Sequence, residues 1–235
     1  MKFLTYFKKS LPAPVLYSND EDVRQRYYKK LRLQVLIAAL LSHSLYYVCR
    51  TTLNVVKEPI LDSGALNATQ LGLIGSAMLF VYAVGKFVNG FLADYSNIKR
   101  FMAAGLILSA AANLLIGIAG ALNGERIIGN AVFFVVFVIL WGINGWAQSM
   151  GGPPGIVSLS RWYPLSRRGT YYGFFSASHN LGEFFSFLFV GTVVGICGWY
   201  WGFAGSAIAG GVGIVIIIAL LHDSPESKGD RKSVV

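Results

Sequence analysis

Charge is what this chain has least of. Of its 235 residues only 13% are Asp, Glu, Lys or Arg, about half the share usual in a soluble domain, while 54% are hydrophobic and the mean hydropathy is +0.55. That balance excludes an ordinary water-soluble domain. Cysteine is scarcer still: Cys49 and Cys197 stand apart, with no CxxC or Cys/His spacing, so neither a disulfide framework nor a metal site is indicated. Also missing are GxSxG, a Walker loop, HExxH and a pair of mid-membrane carboxylates. Their absence speaks against an enzyme, and no cofactor or metal is expected.

What is present is gathered into blocks. Six apolar stretches, roughly 33–56, 69–92, 101–121, 128–150, 169–193 and 199–221, are each long enough to cross a hydrocarbon layer of about 30 Å. In lipid every backbone group must be paired within the chain, and the even alternation of a barrel is lacking. The sequence therefore predicts an all-α integral membrane protein, a bundle of six transmembrane helices over 33–221. A basic tail (1–32) precedes it and a second polar segment (222–235) follows. The first apolar block comes after a charged stretch containing Asp20, Glu21 and Asp22, so helix 1 is expected to act as its own insertion signal rather than a cleaved leader.

A net charge of +9 invites a nucleic-acid reading, but the positions of the cations argue against one. They alternate by loop. One side holds Lys2, Lys8, Lys9, Arg24, Arg26, Lys29, Lys30 and Arg32, then Lys99 and Arg100, then Arg161, Arg167 and Arg168, then Lys228, Arg231 and Lys232; the opposite loops hold only Lys57 and Arg126. Positive charge marks the cytoplasmic side, so both termini are expected inside a bacterial-type inner membrane, with the lipid bilayer as partner. Short connections, with turns at Asp62-Ser63-Gly64 and Gly198, predict antiparallel packing of successive helices. Gly151-Gly152-Pro153-Pro154-Gly155 should end or kink helix 4 and begin an ordered cytoplasmic elbow running to Arg168. Glycines at 191 and 195, and from Gly202 to Gly213, should allow close helix contact. Asn67-Ala68-Thr69 fits a glycosylation acceptor, a pattern common by chance.

Residues three and four apart share a helix face, so polar residues at that spacing mark a stripe that avoids lipid. Helix 1 carries His43, Tyr47, Arg50 and Asn54; helix 2 carries Tyr82, Lys86 and Asn89; helix 4 carries Trp141, Asn144 and Gln148; helix 5 carries Tyr172, Ser176, His179, Glu183 and Ser186. These four are expected to face a shared interior, with helices 3 and 6 as lipid-facing supports.

Arg50 is the strongest single signal, because a guanidinium in an apolar helix needs water, a partner or a ligand, and its planar fork fits phosphate oxygens two at a time. The competing reading is that it snorkels to the surface from about six residues inside its block. Snorkelling competes more strongly for Lys86, which lies about 12 Å nearer the cytoplasm than Arg50, so the two are expected at successive levels of a positive path rather than in one clamp. His179 and Glu183 sit one turn apart and could hold each other, favouring a charged imidazole.

Gly90-Phe91-Leu92-Ala93-Asp94-Tyr95-Ser96-Asn97-Ile98-Lys99-Arg100 resembles the cytoplasmic loop motif of the major facilitator superfamily. Tyr46-Tyr47-Val48-Cys49-Arg50, Tyr82 with Gly85-Lys86-Phe87, Gly152-Pro153-Pro154, Arg168-Gly169 and Ser178-His179-Asn180-Leu181-Gly182 are similar to segments of its organophosphate:phosphate antiporters and their sugar-phosphate sensor relatives. The resemblance runs in order from about residue 27 to 227 and implies the N-terminal half of a twelve-helix fold, with the C-terminal six-helix half missing. It implies that Arg50 binds the substrate phosphate, with His179 near the substrate, Lys86 and Tyr47 as accessory groups, and Gly90, Asp94, Lys99 and Arg100 in a conformational loop. Thr51 stands where many relatives have lysine, and Glu183 where many have glycine. The implied activity is exchange of an organic phosphate for inorganic phosphate. Alternatives are a membrane sensor with a signalling partner, or a proton-linked facilitator using His179 and Glu183.

Overall fold

The computed structural model describes residues 6–13 and 21–229; Lys2, Asp20, Arg231 and Lys232 lie outside them. Its helices are α1 (Glu21–Asp62), α2 (Ala68–Tyr95), α3 (Ile98–Gly124), α4 (Asn130–Gln148), α5 (Gly152–Trp162), α6 (Leu165–Phe185), α7 (Gly191–Cys197) and α8 (Trp199–Leu220). A π-helical turn, Ser186–Val190, joins α6 to α7, and a 3-10 turn spans Glu226–Lys228. Six segments are long and apolar enough to cross a membrane, with α4 plus α5 forming the fourth and α6 through α7 the fifth.

Helix 1 is longer than its apolar block at both ends. Gly64 (φ +69°) and Gly198 (φ +99°) supply the positive φ that the two expected turns need. Asn67 is the N-cap of α2: its side chain accepts from Gln70 N at 2.9 Å, and the Gln70 side chain accepts from Asn67 N at 2.9 Å. That capping box gives the glycosylation-like tripeptide a structural use. The expected elbow after helix 4 is largely helix: the chain bends at Ser149–Gly151 and continues as α5, with Pro153 and Pro154 in the first turn, where a missing N–H costs nothing.

Of the successive spans only α3 and α4 are main neighbours. Side by side the order is α6, α1, α8, α3, α4, α2, so the other short loops connect helices that pack mostly against others. Helix α3 is the most buried span and α2 and the fifth span the least. This corrects the expectation that helix 3 is a lipid-facing support: its buried face mixes Phe101, Met102, Leu106 and Ile116 with Ala, Gly and Ser, a composition that reads the same whether it meets lipid or a neighbouring helix. Gly210 and Gly213 of α8 do permit close approach, since a Cβ on Gly210 would lie 2.9 Å from Ala110 Cβ and one on Gly213 would lie 2.6 Å from Leu106 Cδ2. Gly195 meets nothing within 4 Å and Gly191 only Val55 at 3.9 Å, so the expected contact there does not form.

Two apolar clusters, one toward each end, are separated along α3 by a polar knot. Asn144 Oδ1 accepts from the Ser109 hydroxyl at 2.6 Å, Gln148 donates to the same hydroxyl at 2.8 Å, and Asn113 and Asn144 donate to the Cys49 carbonyl at 3.1 and 3.3 Å. Ser206 donates to Asn113 Oδ1 at 3.0 Å. The knot ties α1, α3, α4 and α8 at one level, with every member satisfied.

At the basic end Asp223 is the keystone. It accepts from Arg161 at 2.7 Å, from Ile98 N at 2.8 Å and from Ser10 N at 2.8 Å, while Arg161 also caps the last carbonyls of α2 at Ala93, Asp94 and Ser96. His222, next to it, faces Gln34 and the Trp162 ring. Burial, with Lys228 and Lys99 nearby, pushes its imidazole down to about 4.

Two outcomes follow from these contacts. Asn144→Leu, which strands the Ser109 and Gln148 partners, should cost about 1–2 kcal/mol and lower the melting temperature in detergent, whereas Asn54→Leu, on an exposed site, should leave it unchanged. Because the unfolded chain binds a proton at His222 below pH 6.5 that the folded chain refuses until about pH 4, stability should fall as pH drops through that window. The fall should be smaller in His222→Gln, as read by thermal unfolding across pH.

Candidate functional site

Two residues set the position of α6 against α1. Gly182 has no side chain because the Ser44 carbonyl and Tyr47 Cβ occupy the space; a Cβ there would lie 2.5 Å from Tyr47 Cβ. Ser44 donates to the Ser178 carbonyl at 2.9 Å. The close approach brings the polar faces of both helices to one cleft.

Within it, His43 Nδ1 lies 2.7 Å from the Ser178 hydroxyl, which itself donates to the Phe175 carbonyl. With that proton placed, Nδ1 is the donor. The His43 ring packs on Phe175 (4.6 Å between centroids) and meets Tyr47 at 5.3 Å, and Tyr47 meets His179 at 5.7 Å. One turn along α1, the Arg50 guanidinium lies 4.1 Å from the Tyr82 ring centroid and 5.5 Å from that of Tyr47. Lys86 Nζ lies 5.2 Å from the same Tyr82 ring.

So α1, α2 and α6 bring His43, Tyr47, Arg50, Tyr82, Lys86 and His179 into one continuous group. Arg50 and Lys86 converge on one ring, which corrects the expectation of separate levels: the axial offset of their backbones is taken up by the reach of two long side chains. Arg50 is half-buried and about twelve residues, or roughly 18 Å, short of the end of α1 at Asp62, with its guanidinium against Tyr82 rather than at the surface. Among the described residues no carboxylate pairs with Arg50 or Lys86. Two aromatic rings, worth about 0.5–2 kcal/mol each, flank the guanidinium, and among the described residues its N–H groups donate to no protein acceptor, which leaves them for an anion.

Other expected members stand elsewhere. Asn144 and Gln148 belong to the buried knot and Trp141 to an aromatic cluster with Phe137 and Phe203, so the stripe of helix 4 faces the bundle's own core. Asn54 is exposed one turn beyond Arg50. Glu183 is exposed, and among the described residues it makes neither ion pair nor hydrogen bond with His179, which corrects the expected couple. The Thr51 hydroxyl bonds back to the Tyr47 carbonyl at 2.8 Å. In the loop motif the Asp94 side chain is exposed and its carbonyl is what Arg161 uses; Gly90 has only Pro153 at 3.9 Å, Lys99 is half-buried, and Arg100 donates to the Tyr6 carbonyl at 2.8 Å. Phe175, Ser178, Arg161 and Asp223 were not singled out by sequence. Ser178 and Gly182 lay within a quoted segment, but nothing local marks Asp223.

The chain is thus a bundle of six helices long and apolar enough to cross a membrane, with a cationic, tyrosine-lined cleft between α1, α2 and α6. The profile of the Major Facilitator Superfamily matches residues 39–234, and the chain belongs to that family. It is 30% identical to a probable hexose phosphate transport protein of Chlamydia pneumoniae, over 93% of this chain and 45% of the relative. It is 31% identical to the membrane sensor protein UhpC of Salmonella typhimurium (96% and 48%) and 31% identical to a glycerol-3-phosphate transporter of Bacillus subtilis (93% and 47%). The chain thus spans about half the length of the curated relatives it matches. Among solved structures, a bacterial homologue of the human lysosomal transporter Spinster, inward-facing and unoccupied, aligns with a TM-score of 0.64 at 20% identity, over 86% of this chain and 45% of that one.

Gly182→Ala should push α6 from α1, part His43 from Ser178 and move Tyr47. The expected result is a lower melting temperature in detergent together with weaker anion binding; an unchanged melt would show that the helices have slack there.

Proposed function

We propose that this cleft is the phosphoryl-binding wall of a transporter that exchanges a hexose phosphate, or a related organic phosphate, for inorganic phosphate. Exchange proceeds by alternating rocking of this six-helix unit against a second one. The observation that carries the reading is the Arg50 guanidinium: deep in a span, held by Tyr82 and Tyr47, and paired with no carboxylate among the described residues. Such a group is a receptor for a doubly ionised ester. Lys86 adds a second positive charge, and Tyr47 and His179 line the same cleft, where the phenol and the imidazole can donate to the ester's oxygens. The similarity to proteins named for hexose phosphate and glycerol 3-phosphate supports the same class of ligand.

In this reading the basic end is cytoplasmic, in a bacterial-type inner membrane, with 1–32 as a tail, 33–221 as the bundle and 222–235 leading toward the second half. The similarity to a membrane sensor favours one alternative, in which the same cleft reports sugar-phosphate occupancy to a signalling partner.

The test is counterflow in phosphate-loaded vesicles carrying this unit together with a second six-helix half. Hexose phosphate should exchange for phosphate, and Arg50→Lys, which keeps the charge but loses the fork, should reduce exchange about 10- to 100-fold, equivalent to about 1.5–3 kcal/mol. Exchange that survives Arg50→Lys would remove the anchor; binding without exchange would establish the sensor.

A further inference from the structure

A second cationic cleft lies at the basic end, away from Arg50. It has a volume of about 540 Å³ and is lined by Lys29, Arg32 and Leu33 of α1, Tyr163 and Pro164 of the α5–α6 turn, and Arg167 and Tyr171 of α6. No acidic residue lines it. Its floor is fixed: Tyr163 stacks on Tyr171 with ring centroids 3.7 Å apart, and its hydroxyl donates to the Arg32 carbonyl at 2.8 Å. Arg168, next in sequence, is engaged with the carbonyls of Tyr163 and Ser160 at 2.9 and 2.7 Å. Lys29 and Arg167, by contrast, are exposed and approach the cleft from two different helices.

Its level in the bundle narrows the ligand. Leu33 is where the first apolar block begins, and Lys29 lies one turn, about 6 Å, outside it, so the cleft straddles the boundary between hydrocarbon and water. Leu33, 56% exposed, gives it an apolar edge toward the hydrocarbon, while the tyrosines have the amphipathic character of interfacial anchors. Lys29 on the water side, tyrosine on the floor and exposed Leu33 on the hydrocarbon side match a phosphate headgroup joined to an acyl chain. A soluble ester would have no use for Leu33.

We propose that this cleft binds the phosphate headgroup of an anionic membrane lipid, with Lys29 and Arg167 as its charged contacts. Bound there, the lipid bridges α1 to the start of α6, two of the three helices that form the Arg50 cleft.

The purified 235-residue chain in detergent, titrated with phosphatidylglycerol and with phosphatidylcholine under native mass spectrometry, tests this. Phosphatidylglycerol should bind at least about 10-fold more tightly. Lys29→Gln and Arg167→Gln should each weaken it about five-fold, from about 1 kcal/mol per basic residue near the surface, and leave phosphatidylcholine binding unchanged, which also reports an intact fold. Lys29→Arg should retain the preference. Arg50→Gln should have no effect, so this site stands or falls apart from the transport reading. Equal binding of the two lipids, or no change on removing either charge, would overturn the proposal. So would displacement of phosphatidylglycerol by millimolar glucose 6-phosphate, which would make the ligand a soluble phosphate ester.

Discussion

A guanidinium inside a membrane span must be answered by something, and here the answer within the described residues is two tyrosine faces rather than a carboxylate. Placing arginine at the centre of a spanning helix costs about 2.5–3.5 kcal/mol on insertion scales, and a desolvated cation–π contact returns up to about 2 kcal/mol. Two such contacts come close to offsetting the cost and still leave the edge of the guanidinium unsatisfied. A carboxylate would have neutralised the group and closed the site. The rings make Arg50 tolerable in a span without making it inert toward an anion.

The rest of the bundle holds those rings in place. Gly182 lets α6 press on α1 so that Tyr47 sits beside His179, and the Ser178 hydroxyl fixes His43. Behind the cleft, the knot of Ser109, Asn113, Asn144, Gln148 and Ser206 locks α1 to α3, α4 and α8 through the Cys49 carbonyl, one residue before Arg50. The polar residues thus serve two tasks on opposite faces of α1. One set is consumed by helix packing and the other is left open. At the basic end, Asp223 and Arg161 gather the ends of α2, α3 and α5, fixing the frame from which α1 and α6 reach into the membrane.

Much of this was legible in the sequence. Block length alone gave the six spans, and helical spacing grouped His43, Tyr47 and Arg50 as it grouped Tyr82 and Lys86. Spacing within one helix does not say which neighbour a face meets, so Asn144 and Gln148 were assigned to the cleft when they belong to the knot. Apolar composition does not separate lipid from protein, so α3, whose buried face is mostly apolar and small residues, reads as a support although it is the most buried span. Rise per residue placed Arg50 and Lys86 apart because it measures backbones and not the heads of long side chains. Asp223 was silent because its three partners are distant in sequence and two of them are backbone amides.

The claim on which the rest turns is that the Arg50 guanidinium receives the phosphoryl group directly. Solid-state NMR of the arginine-¹⁵N-labelled protein in lipid, with glucose 6-phosphate bound, measures it through ¹⁵N–³¹P dipolar dephasing, with Arg50→Lys identifying the signal. A guanidinium nitrogen about 4 Å from phosphorus, the separation of a direct charge-assisted hydrogen bond, is the predicted result. Bound ligand with no dephasing of the Arg50 signal would contradict it.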